Sequence, residues 1–166
     1  MDATADELAG VVDLFGGLTR EELERALAEA AYRADGQSVD DGALETAIDE
    51  ALESFALVRY DPAGRDETST TADDEALLVP GPTAFPTVPE HAEDLPHILD
   101  VGRRRPAREP LGEAARERFV AAADEAVTEG DAARLRTLLD VSYDIEAWAP
   151  VDLADERTRL EDVLEE

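Results

Sequence analysis

Apolar residues recur at helical spacing from Leu8 to Phe55, the pattern stops at Asp61, and it returns at length only from Leu111. That interruption divides the chain into two helical parts, because no regular helix runs through a stretch holding Pro62, Pro80, Pro82, Pro86 and Pro89. Before the break, Leu8, Val11, Val12 and Phe15 stand at i, i+3, i+4 and i+7, and Gly16-Gly17 ends the run. Thr19-Arg20-Glu21-Glu22 then reads as a capping box, in which the threonine hydroxyl accepts from the amide three residues on and Glu22 reaches back. Leu23, Ala26, Leu27, Ala30 and Ala31 form the stripe of that second helix, closed by Asp35-Gly36. A third begins at Asp40 or Asp41 and sets Leu44, Ala47, Ile48, Ala51, Leu52 and Phe55 on one face. From Phe55 to Tyr60 the content turns β-branched and aromatic, which predicts a strand closed by Asp61-Pro62, and Ala76 to Val79 predicts a second strand after a long loop.

After the break a short helical piece near Glu90 to Leu99 is interrupted by Pro96, and three longer helices follow. Pro110 suits the first position of one whose stripe is Leu111, Ala115, Phe119, Ala122, Ala123 and Ala126, with Gly130 as its left-handed stop. Asp131 caps the next, which carries Leu135, Leu138 and Leu139 towards Tyr143 and Trp148, two residues expected to anchor a small core. Asp152 caps the last, with Leu153, Leu160, Val163 and Leu164 inward. The fold class is therefore mainly α (α+β): a three-helix module with a small two-stranded hairpin over residues 1–80, a Pro-rich connection over 81–109, and a C-terminal helical bundle over 110–166.

Helix, helix, helix, strand, loop, strand is the order of a winged helix, which residues 1–80 resemble by sequence of elements alone. The opening Met1 to Thr19, with its Gly16-Gly17 stop, and the Gly102-Arg103-Arg104-Arg105-Pro106 element resemble a haloarchaeal family known as a domain of unknown function. That resemblance spans essentially the whole chain and implies a habitat, with no activity, cofactor or catalytic residue attached.

Charge carries the next inference. The chain has 42 acidic residues against 15 arginines and no lysine, a formal net charge of -27, and 43% of its residues are hydrophobic. That apolar share is enough for one or two small cores and excludes disorder of the whole. Molar salt shortens the Debye length to about 3 Å, where repulsion between hydrated surface carboxylates is largely screened. The excess therefore predicts a protein of a halophile cytoplasm. With no cysteine, disulfides, thiolate nucleophiles, iron-sulfur clusters and cysteine zinc sites are excluded. No apolar run reaches the roughly 18 residues of a membrane span, and Met1 to Gly10 is acidic where a secretory leader is basic.

The charge is uneven: residues 101–120 carry +3 while every other segment is strongly negative. Arg103, Arg104, Arg105 and Arg108 concentrate planar donors that pair with phosphate or carboxylate. Two readings follow, a docking site for an anion or acidic partner, and an internal clasp on the chain's own carboxylates. The flanking Gly102 and Pro106 place the run in a turn between helices, where its guanidinium groups can fan onto both parts of the chain, and favour a clasp between the two domains. For metal chemistry the candidates are His91, His97, Glu93 and Asp100, since Glu93, His97 and Asp100 would share one helical face with donors suited to zinc or manganese. Pro96 breaks that helix, and ordinary surface histidines are the expectation. Ser38, Ser54, Ser69 and Ser142 lie in no GxSxG context, and no glycine pattern makes a phosphate loop.

These features predict a non-enzymatic interaction or regulatory module with another protein as partner, no cofactor and no membrane. A divergent winged-helix DNA regulator is the alternative, disfavoured because the third helix offers only acids to phosphate. A metal-dependent enzyme built on the His91 and His97 region is the second alternative. The oligomeric state stays open.

Overall fold

Two threonines start the molecule's first two helices in the same way. In the computed structural model, which describes residues 4–36, 40–60, 76–88, 92–99, 104 and 106–165, the Glu7 amide donates to the Thr4 hydroxyl at 3.1 Å and the Thr4 amide to the Glu7 carboxylate at 3.3 Å. The same reciprocal box joins Thr19 and Glu22, at 3.2 and 2.9 Å. Each box satisfies two amides that have no acceptor within the helix. The helices so started are α1, Ala5–Phe15, and α2, Arg20–Asp35, closed by Gly16 at φ 83° and Gly36 at φ 68°. The third, α3, is Asp41–Glu53 with Asp40 as its cap.

The chain folds as two compact units, Met1–Pro106 and Ala107–Glu166. In the first unit α1 is the central element. Leu8, Ala9, Gly10, Val11 and Val12 are all buried, and five consecutive buried residues cannot lie on one stripe, so the middle of α1 is enclosed on every side while Asp13 stays exposed. Its core partners are Leu23, Ala26 and Leu27 of α2, Leu44, Ile48 and Ala51 of α3, and Leu57, Leu78 and Leu95.

The turn out of α3 places Phe55 at φ 65° with its side chain fully buried. Ala56 donates back to the Ala51 carbonyl at 2.9 Å and Phe55 to that of Leu52 at 3.3 Å, the paired bonds of a Schellman stop in which glycine is the usual third party. A left-handed L-residue costs roughly 1–2 kcal/mol, which burial of the phenyl ring offsets. The turn feeds β1, Leu57–Tyr60, which pairs antiparallel with β2, Leu77–Pro80, in the register Val58 to Val79. On the other edge of β2, Leu18 and Leu78 exchange both backbone bonds, at 3.0 and 2.7 Å. The α1–α2 connection thus adds a one-residue third strand.

Residues 81–99, expected to be a connection, are built into the first unit wherever they are described. Gly81 donates to Ala56, Thr83 to Phe55 and Thr87 to Asp6, while Ala92 and Leu95 enter the core. A Cβ on Gly10 would lie 2.0 Å from the Thr87 carbonyl, so only glycine lets this strap cross α1 so closely. A short helix, α4, runs Leu95–Leu99. Pro96 does not break it as expected, because it stands second in the helix, where its missing amide has no acceptor to lose. The loop of residues 61–75 lies outside the described residues.

The second unit is α5, Arg108–Glu129, α6, Ala132–Trp148, and α7, Ala154–Leu164. The stripe expected for α5 is buried as read, and Gly130 at φ 67° stops it. The helix starts two residues before the position read from Pro110, which sits third and is tolerated for the same reason as Pro96. Asp131 accepts from the Arg134 amide at 3.0 Å and Asp152 from the Ala154 amide at 2.9 Å. Tyr143 corrects an expectation: it is 57% exposed and anchors no core, with the Arg157 guanidinium over its ring at 4.3 Å.

Candidate functional site

The most highly organised polar group of the first unit centres on Arg104. Its backbone amide donates to the Phe15 carbonyl at 2.7 Å, at the stop of α1. There Gly16 is required twice, by its positive φ and because a Cβ would fall 1.8 Å from the Arg104 carbonyl. Anchored so, the Arg104 side chain sends one terminal nitrogen to the Gly17 carbonyl at 3.0 Å and to Glu22 at 2.6 Å, and the other to the second Glu22 oxygen at 3.2 Å. This fork is the bidentate geometry that arginine forms with carboxylate. Burial by itself would raise the Glu22 pKa, but donation from Arg104 and from the Thr19 amide outweighs it and holds the carboxyl below its ordinary value. One carboxylate therefore closes a capping box and holds the returning chain.

Of the arginine run, Arg104 pairs with Phe15, Gly17 and Glu22, all in the first unit, where the sequence predicted a clasp between the two parts. Arg108, at the start of α5, lies over the half-buried ring of Trp148 at 5.1 Å to its centroid. The structure thus separates the two described members of the run, one engaged with carboxylate and one with an aromatic face. Arg103 and Arg105 lie outside the described residues.

Of the metal candidates, Glu93 stands in the turn before α4 and His97 within it, both exposed. His91 and Asp100 lie outside the described residues. Among the described residues no group of three histidine or carboxylate side chains is placed to hold a metal ion.

Sequence reasoning missed a second polar node, in the C-terminal unit. Arg157 of α7 donates to Glu146 of α6 at 2.7 Å, the other Glu146 oxygen accepts from the Leu153 amide at 2.7 Å, and Arg157 reaches the buried Ser142 hydroxyl at 3.4 Å. Ser142 itself donates to the Leu139 carbonyl at 2.6 Å. The Arg157 bond first, and the Leu153 amide second, hold the Glu146 carboxyl below its usual range against the effect of burial. Eleven residues and a turn separate the pair, a spacing with no helical meaning, so nothing in the sequence marked Glu146 among so many acids.

The outward side of α3 carries Glu45, Thr46, Asp49, Glu50 and Glu53, all exposed. Arg20 of α2 reaches across to Asp49 at 2.9 Å. No helix among the described residues is long and apolar enough to cross a membrane.

A family model described as "Family of unknown function (DUF7109)" matches residues 6–165. The chain belongs to this family. The match takes in both units, so the family is defined by the pair of them. No curated protein and no solved structure matches the chain.

Proposed function

We propose that this family member is a non-enzymatic protein-interaction or regulatory module of a halophile cytoplasm, its first unit a winged-helix variant that recognises protein in place of DNA. The order α1, α2, α3, β1, β2 supports the scaffold, and the Leu18 to Leu78 bridge supports a hairpin tied back to the helices as a wing would be. The acid excess and the use of arginine alone for positive charge support the habitat.

The observation that carries the reading is the charge of α3. In helix-turn-helix proteins the second helix of the motif lies in the major groove between two rows of phosphate. Here that position belongs to α3, whose exposed Glu45, Asp49, Glu50 and Glu53 face outward from a helix with no arginine in it. Affinity for DNA comes chiefly from cationic side chains that displace condensed counterions, and this surface offers the opposite sign. What remains are two units whose polar nodes, at Arg104 in the first and Arg157 in the second, are each satisfied within their own unit.

Fluorescence anisotropy of labelled duplex DNA tests this directly. No saturable binding is expected up to roughly 10⁻⁴ M protein, the range in which even non-specific DNA binders associate. Saturable binding that weakens as potassium chloride rises would overturn the reading in favour of a DNA regulator.

A further inference from the structure

The strap that crosses α1 presents an anomaly. Phe85 is 79% exposed, the next three residues Pro86, Thr87 and Val88 are exposed with it, and the segment is nonetheless firmly held. Thr83 donates from its amide to the Phe55 carbonyl at 3.2 Å and from its hydroxyl to the Ser54 carbonyl at 2.9 Å. The Phe85 amide donates to the Asp6 carboxylate at 3.1 Å, the Thr87 amide to the Asp6 carbonyl at 3.0 Å, and the Thr87 hydroxyl to the Phe85 carbonyl at 3.0 Å. Pro82 and Pro86 restrict the backbone further.

Those bonds hold the backbone while the largest apolar side chain of the strap stays in water. A flexible loop with an exposed phenylalanine would lose most of its binding energy on being ordered. A strap ordered in advance does not pay that cost. Aromatic side chains of this kind are the usual anchors of protein interfaces.

The charge around the strap indicates what it fits. From Arg65 to Arg103 the sequence contains neither arginine nor lysine between those two positions. Asp6, whose carboxylate accepts from the Phe85 amide, and its chain neighbour Glu7 bring acid to the strap from α1. An apolar plug beside these carboxylates suits an apolar pocket rimmed by cationic groups, since ion pairs desolvated at a contact are screened far less by salt than charges held apart in water, and a second copy, with 42 acids against 15 arginines, supplies few such groups.

We propose that the Phe85 to Val88 strap is the docking element of this module, with Phe85 entering an apolar pocket on a partner protein whose rim carries arginine or lysine. This rests on the interaction reading above and names its surface.

The full chain with p-benzoylphenylalanine in place of Phe85 is irradiated in a halophile lysate at native salt, beside a chain labelled at Tyr32, which is 66% exposed on α2. The Phe85 probe is expected to give one adduct that the Tyr32 probe does not, mapped to an apolar pocket with basic neighbours. That protein, purified, should bind Phe85→Ser at least about 30-fold more weakly than wild type, bind Phe85→Leu with an intermediate loss, and bind Tyr32→Ser as wild type. Circular dichroism of the variants should match wild type. An adduct between two copies of this chain, no adduct beyond the Tyr32 control, or a partner that binds Phe85→Ser undiminished would overturn the proposal. In the last case the interaction reading stands on another surface; a chain that takes no protein partner by any route overturns both.

Discussion

The two units answer the same excess of acid differently. The first is held by large apolar side chains: Phe15, Phe55, Leu8, Leu18, Leu23, Leu27, Ile48, Leu57 and Leu95 are all fully buried. The second has Phe119, Leu135, Leu138, Ile145, Leu153 and Leu160 in that class, but on its longest helix, α5, the buried stripe holds only Leu111 and Phe119 beside Gly112 and alanine at 115, 122, 123 and 126. Ion pairs join its helices, Arg116 to Glu156, Arg157 to Glu146 and Arg159 to Asp124, where the first unit has Arg20 to Asp49 and Arg104 to Glu22 among the described residues. Alanine lets helices approach closely but removes little apolar area from water, so the ion pairs that α5 makes through Arg116 and Asp124 carry a share of the stability that Leu8, Val11, Val12 and Phe15 supply on α1.

The largest expected effect is common to both. Diluting molar potassium chloride to about 0.1 M lengthens the Debye length to about 10 Å, and helical circular dichroism should fall as unscreened carboxylates repel. Full retention of the signal would remove the argument for a halophile habitat. Next comes Phe15→Ala, expected to cost about 3–5 kcal/mol by leaving a cavity beside α1. Hydrogen exchange in α1 and β2 should rise accordingly, and a loss under about 1 kcal/mol would mean that the first unit is not held by its core.

In the second unit Arg157→Leu should cost about 1–3 kcal/mol, because it strips a half-buried carboxylate of its main donor. The more exposed pair provides the contrast, with Arg159→Ala expected within about 1 kcal/mol. Trp148, the chain's single tryptophan, reports unfolding of this unit by its emission in urea. Equal effects for the two arginines would deny the Glu146 node its special place.

The smallest effect is the most diagnostic. Glu146 has a folded pKa below its unfolded one, so its ionised form stabilises the fold above the unfolded value, about 4.3. That contribution disappears as pH falls through the lower folded value. Glu146→Gln should therefore be less stable than wild type at pH 7, and the gap should close on acidification. A gap that persists at the acid end would show that the pair acts through packing instead of charge.

Elements with a local cause were legible in the sequence. Thr19 with Glu22, the glycine stops at 16, 36 and 130, and the stripes of α1, α2, α3 and α5 depend on neighbours within a turn or two. What depends on distant residues was not. Nothing local shows that Gly10 is shaped by Thr87, that Leu18 completes a sheet with Leu78, or that residues 81–99 belong to the first unit. Phe55 read as a strand residue because its β propensity is real, yet the Schellman bonds to Ala51 and Leu52 place it in the turn. The arginine run was visible as a charge anomaly, and only the return of the chain to Phe15 fixed Glu22 as the partner of Arg104. Tyr143 misled because an aromatic at helical spacing reads as core, whereas Arg157 covers its ring at the surface. Abundant carboxylates hid Glu146 for the opposite reason, since no single acid stands out among 42.

The docking surface proposed for the first unit can be put to a direct test. Isolation of the tagged chain from a halophile lysate at native salt, followed by native mass spectrometry, tests it most directly. A complex of fixed stoichiometry with a different, more basic protein, free of nucleic acid and lost in Phe85→Ser, is expected; recovery of the chain with bound DNA, or alone in every preparation, would overturn the docking role.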